Sequence, residues 1–359
     1  MLPVAFTGTS QAGIREAVID ITHVNGHPNE APEHTASATL VTVSTAQSHR
    51  LVVEEFTGAW CGWCTRGIVG LDMLNNQFGD RVITIAAHMG DPMYCEDYTF
   101  IFWLTTGYPS CVINRGPVID PYWGSNAGNK PFGIADDVER LLAEPVIGSI
   151  EATAVWKDIA QTKIRVNTQT TFGIDITQGD SSPYLIGYLL VADGLKGEGS
   201  DWAQNNNYTG MGSGDPNLKP IENLPSLVYG MEYNHVAVGA WGADKGIDHS
   251  VALPLRKDQT QQYSYTCDIA GNTLVQDKSK LTVVALLLDS ETGAVINGAK
   301  CPIADFDPSG ISTLDADESH SLDFYDLQGR KVSASQKGLL IQQTRNANGT
   351  VSIQKILRK

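Results

Sequence analysis

The stretch "RLVVEEFTGAWCGWCTRG", residues 50–67, constrains the fold more than any other part of the chain. An apolar run suited to a buried strand ends in a turn, and two cysteines separated by Gly62 and Trp63 follow it. Ile68, Leu71, Leu74 and Phe78 then recur at helical spacing, and "FGD" ends that helix. The reading is a strand, an exposed turn and a helix start. "VITIAA" continues as a second buried strand, and "EDYTFIFWLTTG" reads as a helix broken by Gly107 and Pro109. "CVIN" and "PVID" read as third and fourth strands, and "GIADDVERLLAE" closes the unit as an amphipathic helix. Such alternation over residues 49–144 predicts an α/β domain.

The pattern changes on either side. Residues 1–48 hold two strand-like runs, "REAVIDITHV" and "SATLVTVS", too few to stand alone. Residues 145–303 hold seven strand-like runs with turn signals between them, which predicts a β-sandwich. One of the runs is "SVALPLR". The sandwich is interrupted by a long polar loop, "GLKGEGSDWAQNNNYTGMGSGDPNLKPIEN", whose Trp202 and Tyr208 read as exposed aromatics on a decorated or ligand-binding loop. Residues 304–320 read as a linker. Its Asp-x-Asp start hints at a calcium loop, but with Asp305 as position 1 the twelfth position is Ala316, where a bidentate Glu is required. Residues 321–359 hold three short strands. The expected fold class is multidomain, α/β plus all-β.

Composition narrows the function. A chain of 359 residues, 42% hydrophobic and 18% charged, is globular and long enough for two or three cores. Its formal net charge of −15 argues against a nucleic-acid partner, which needs a basic footprint. No apolar run reaches the roughly 18 residues of a membrane-spanning helix. No signal peptide is recognisable after Met1, which fits a cytoplasmic protein or the mature part of an exported one. Six cysteines in two nearby pairs and one distant pair lean towards an oxidising compartment.

Cys61 and Cys64 could bind metal, staple a loop or exchange disulfides. Zinc wants four ligands, and no second Cys-x-x-Cys exists. A bridge across two residues removes little unfolded-state entropy, so a staple gains little stability. Redox chemistry gains from position: Cys61 at a strand-to-helix junction would face unpaired helix N–H groups that favour its thiolate. Cys61 is then the nucleophile and Cys64, one turn into the helix, the buried resolving thiol. Arg66 adds a positive charge. Pro109, after Gly107 and Tyr108 and entering a buried strand, reads as a cis-proline whose loop lies beside Cys61. Glu55, in an otherwise apolar strand, reads as a partly buried carboxylate with a raised pKa, suited to taking the Cys64 proton. The alternative is that Glu54 and Glu55 are both solvated at a strand end. Trp60, Gly62, Trp63 and Tyr108 complete the surroundings of the pair.

"EEFTGAWCGWC" with the later "GYPS" resembles the thioredoxin fold over about 95 residues. More narrowly, "EEFTGAWCGWCTRG", "GYPSCVINR", "LLVADGL", "DWAQNNNY" and "YNHVAVGAWG" resemble the 28-kDa outer-membrane protein family of Bacteroidetes. That resemblance implies a thioredoxin-like domain coupled to a β-sandwich. It carries over Cys61 as nucleophile, Cys64 as resolver, Pro109 as cis-proline and Glu55 as the buried acid. Gly-Trp replaces the usual Gly-Pro between the cysteines, and Glu replaces Asp. The tail "FYDLQGRKVSASQKGLLIQQTRNANGTVSIQKILRK" resembles the C-terminal sorting domain of the type IX secretion pathway, an address and not a catalytic part. Both resemblances imply the cell envelope: the outer membrane surface, the extracellular side or the periplasm.

Cys95 and Cys111 are expected to form a second disulfide, with Cys111 as a buried free thiol the alternative; Cys267 and Cys301 are expected to staple the sandwich. Asp248, His249, Ser250 and His235 lack a nucleophile elbow, so hydrolase chemistry is not expected. His88 reads as a surface histidine. The leading expectation is an envelope thiol–disulfide oxidoreductase acting on protein thiols and disulfides, with a redox-active disulfide in place of a cofactor and a membrane electron donor as a further partner. The rival is a surface binding or adhesion protein whose sandwich loops carry the binding.

Overall fold

The computed structural model describes residues 11–105, 107–125, 130–306, 321–325, 330–333, 337–345 and 351–358. The chain divides into two units, Met1–Phe306 and Asp307–Lys359.

The first unit is built on one mixed sheet of 11 strands. In chain order these are β1 (Leu51–Thr57), β2 (Val82–His88), β3 (Ser110–Ile113), β4 (Val118–Ile119), β5 (Gly148–Trp156) and β6 (Lys163–Phe172). They continue as β7 (Tyr184–Ala192), β8 (Val236–Trp241), β9 (Thr260–Asp268), β10 (Leu281–Asp289) and β11 (Val295–Ala304). Their spatial order is β9-β6-β5-β11-β10-β7-β8-β2-β1-β3-β4. β1 and β2 are parallel from Leu51 opposite Val82 to Thr57 opposite His88, and β3 runs antiparallel on the other side of β1. Helix α1 (Thr65–Phe78) connects β1 to β2 and buries Leu71, Leu74 and Phe78 against Leu51, Val53 and Val82. Helix α2 (Ile134–Leu142) places Ile134 and Val138 in the same cluster.

The expected division into an α/β domain and a separate all-β domain is not what forms. The protein is mostly β, about 40% strand and 15% helix, with no helix-rich α/β thioredoxin layout. β8 pairs in parallel with β2, where the Ala86 N–H donates to His235 O at 2.7 Å, and antiparallel with β7 on its other side. A single apolar cluster runs from Val52, Phe56 and Ile85 through Leu189 and Val191 to Val284 and Leu286. The physical reason lies in β7 and β10: "YLIGYLLVA" and "LTVVALLLD" are largely apolar throughout, so both faces must be covered. An unbroken apolar run carries no period, and so does not show which neighbours cover which face.

At the other end the sheet curls back on itself. Thr168 of β6 hydrogen-bonds the Tyr188 hydroxyl of β7 at 3.2 Å, although β5, β11 and β10 lie between those strands in the sheet. Ile164, Val166, Tyr188 and Leu190 fill the enclosed space.

Smaller expectations shift too. Glu96–Leu104 forms a 3-10 helix in place of an α-helix. "SVALPLR" makes no strand; it holds the cis Leu253–Pro254 bond and a lone bridge from Leu255 to Ile176. The two early runs pair as Gly13–Asp20 with Thr35–Thr42. The second unit is a four-stranded antiparallel sheet in the order Lys331–Val332, Ser321–Tyr325, Gly338–Arg345, Val351–Arg358. One two-residue strand therefore adds to the three expected. The calcium-loop reading beyond Phe306 lies outside the described residues.

Candidate functional site

Cys61 and Cys64 are joined in a disulfide, with Cα atoms 5.4 Å apart. The turn that carries them is closed by Cys61 N–H to Gly58 O and Cys64 N–H to Cys61 O, both 3.0 Å. α1 begins at Thr65, so Cys64 is the helix N-cap, without a side-chain cap bond, and Cys61 precedes the helix by a turn. This corrects the expectation that Cys64 lies one turn in. The turn is not open either: Cys61 is 5% and Cys64 0% exposed, while Trp60 and Trp63 stand 48% and 43% exposed on its rim.

What covers the cysteines is the loop that the sequence presented as decoration. Residues 204–207 bond every carbonyl from Ala59 to Gly62. Asn205 N–H reaches Ala59 O at 2.8 Å, and Asn205 Nδ2 reaches Trp60 O at 2.7 Å. Gln204 Nε2 reaches Cys61 O at 3.0 Å, and Asn207 N–H reaches Gly62 O at 2.9 Å. Asn206, itself buried, binds Ile221 O through Nδ2 at 2.7 Å and accepts from Thr65 Oγ1 at 3.3 Å. Tyr208 is 2% exposed and packs edge-on against Trp63, so it is not the exposed aromatic expected. This strap explains Gly62: a Cβ there would meet Asn207 Oδ1 at 2.3 Å. The signal in the sequence was the length of the loop together with three consecutive asparagines, whose side chains can satisfy backbone groups of another segment.

The two glutamates are both buried, against the reading of a solvated strand end. Glu54 is 0% and Glu55 1% exposed, and they face opposite sides of β1. Glu54 meets Arg115 through Nε and Nη2, at 3.1 to 3.2 Å, and accepts from the Tyr98 hydroxyl. Arg115 also donates to Ala243 O, Asp244 O and Gly293 O, pinning distant loops to the end of β3. Glu55 has no such partner. Its Oε1 is unbonded, and Gly67 on α1 leaves room for it: a Cβ there would stand 1.8 Å from that oxygen. Burial first, and then the nearby charge of Asp120, push the Glu55 pKa well above its ordinary value, with Arg66 opposing. Glu55 borders a small cleft that Asp72, His88 and His235 also line. A buried carboxyl of this kind holds its proton more tightly than an exposed one and can exchange it with a neighbouring group.

Arg66 is committed elsewhere. It forms an ion pair with Asp120 at 2.6 Å, lies 4.5 Å over the Trp123 ring and reaches the Tyr208 hydroxyl at 3.3 Å. The Tyr108–Pro109 bond is cis, Pro109 is buried at the head of β3, and the Tyr108 ring packs 5.3 Å from that of Trp60. The proline loop and the cysteine turn therefore meet through that aromatic pair. His88 is not at the surface: it is 4% exposed and bonded to Asp91 at 2.7 Å, whose Oδ2 also accepts from Ala59 N–H at 2.8 Å. The structure missed from the sequence is thus a second scaffold, His88–Asp91, bracing the approach to Cys61.

The remaining cysteines are unpaired. Cys95, Cys111, Cys267 and Cys301 are buried free thiols, which corrects both expected bridges. Cys95 packs with Val52 and Val112 on one face of the sheet, Cys111 with Val53 and Leu71 on the other, so the β1–β3 layer separates them. Cys267 and Cys301 share one core without bonding. Ser250 is a structural hydroxyl, accepting from Ile186 N–H at 2.8 Å and donating to Ile247 O at 2.6 Å, while Asp248 and His249 are exposed.

No family model and no curated protein matches the chain. Among solved structures it is similar to HBP35 of Porphyromonas gingivalis, with 14% identity and a TM-score of 0.50, covering 87% of this chain and 98% of that one. At that identity the likeness concerns the fold. An Agrobacterium tumefaciens protein aligns with 12% identity and a TM-score of 0.35, over 71% of this chain and 94% of that one. A domain of the outer membrane lipoprotein Omp28 from Porphyromonas gingivalis aligns with 16% identity and a TM-score of 0.23, over 45% and 92%. These last two superpose too loosely to bear on the fold. Among the described residues no helix is long and apolar enough to cross a membrane.

Proposed function

We propose that the protein is a thiol–disulfide oxidoreductase of the cell envelope acting on protein thiols and disulfides. The observation that carries this reading is the Cys61–Cys64 disulfide at the start of α1 with the unpaired, buried Glu55 beneath the same helix. In the dithiol state the Cys61 thiolate attacks a substrate disulfide, forming one S–S bond and releasing one substrate thiolate. Cys64, whose proton passes to Glu55, then attacks the Cys61 sulfur; the second substrate sulfur leaves and the internal disulfide closes. Trp60, Trp63 and Tyr108 form the uncovered rim along which a polypeptide reaches the pair, with Pro109 behind it. The second unit serves as the secretion address that its sequence resembles, and a membrane electron carrier resets the pair after each turnover.

A second reading, a surface binding or adhesion protein, draws on the burial of both cysteines beneath the strap. One experiment separates the two. Cys64→Ser should accumulate a mixed disulfide through Cys61 with a disulfide-bearing protein, and Cys61→Ser should abolish exchange. Full exchange activity in Cys61→Ser overturns the enzyme reading and leaves binding.

A further inference from the structure

Gln204 stands in the strap with 1% of its surface exposed. Its Nε2 donates to Cys61 O at 3.0 Å and to Asn205 O at 2.9 Å. Two carbonyls can be served only by the nitrogen, so these bonds set the amide's orientation and hold Oε1 in the buried space beside the turn. Oε1 accepts no hydrogen bond from the protein. Among the described residues, Glu55 Oε1 is the one other buried side-chain atom in that condition. A buried acceptor without a donor opposes the state that contains it.

The chemistry of the pair supplies a reason. A disulfide has no S–H and donates nothing, whereas each thiol carries one weak donor. We infer that Gln204 is a positioning residue for the cysteine pair: its Oε1 accepts a thiol hydrogen bond in the dithiol state and has no donor in the disulfide state. Resting on the thiol–disulfide reading, this names the direction in which the site is biased. A substrate dithiol gives up two electrons and two protons and becomes a disulfide. The Cys61–Cys64 bond breaks, and the two protons finish on the Cys61 and Cys64 sulfurs. By favouring those thiols, the strap makes the pair a stronger electron acceptor, fitted to forming substrate disulfides more than to breaking them.

The test equilibrates the full-length protein with glutathione redox buffers and counts the dithiol fraction by alkylation and mass. Gln204→Leu should shift the equilibrium about tenfold towards the disulfide, equivalent to a potential about 30 mV more negative. Asn205→Ala removes the bond to Trp60 O but no unmet acceptor, and should shift it less than twofold. An unshifted Gln204→Leu, or equal shifts in both variants, overturns the role of Gln204 while exchange chemistry stands. A pair that neither glutathione nor dithiothreitol reduces in the native protein overturns both readings. If Gln204→Leu fails to fold, the reduced-minus-oxidised infrared spectrum of the unaltered protein decides. An S–H stretch displaced to lower frequency supports the bond, and undisplaced thiols overturn it.

Discussion

Glu54 and Glu55 are adjacent in the chain and opposite in physical circumstance. Both are buried in β1, yet Glu54 is clasped by the Arg115 guanidinium while Glu55, facing α1, leaves Oε1 without a donor. Alternation along a strand sends neighbours to opposite faces, so one residue step separates a paired carboxylate from an unpaired one.

Glu55→Gln should stabilise the protein, and more so as pH rises. Because the folded-state pKa of Glu55 is raised, the folded protein keeps a proton that the unfolded chain releases above about 4.5. Stability therefore falls with rising pH from there until Glu55 ionises in the folded protein. The amide cannot ionise, so thermal melts from pH 5 to 8 should show a gap between the two proteins that widens as pH rises. The same variant should slow resolution by Cys64 about 100-fold, the loss expected for a general base.

Arg115→Met should do the opposite. It strands the Glu54 carboxylate in a core and frees the three carbonyls that Arg115 binds. Breaking a buried pair in this way costs about 3–5 kcal/mol, and urea unfolding should report it. Adding Glu54→Met should recover part of the loss, since two apolar side chains leave no buried charge.

The four unpaired thiols should be silent in the native state. Burial pushes Cys95 and Cys301 up to about 11, and raises Cys111 and Cys267 as well, so little thiolate exists at pH 8. Iodoacetamide should label none of them in the folded protein and four after denaturation without reductant. Six should react after reduction, and a count of two without reductant would show one of the bridges that the structure lacks.

Much of the site was legible in the chain because its parts are local. A strand, a Cys-x-x-Cys turn and a helix lie within about thirty residues, and each announces itself through its own period and punctuation. Glu55 stood out as a charge in an apolar run, and Pro109 as a proline entering one. The strap did not, because an Asn-rich loop looks the same whether it meets water or the carbonyls of another turn.

What the sequence determined by itself was therefore the local chemistry: a cysteine pair at a helix start, with an acid before it and a proline after it. Tertiary structure alone decided that β2 and β8 join two expected domains into one sheet, that Glu54 is paired and Glu55 is not, and that Gln204 lies against Cys61. The reason is range. Local patterns are written in neighbouring residues, but long-range partners are chosen by which apolar faces and backbone carbonyls remain unsatisfied once the rest has packed.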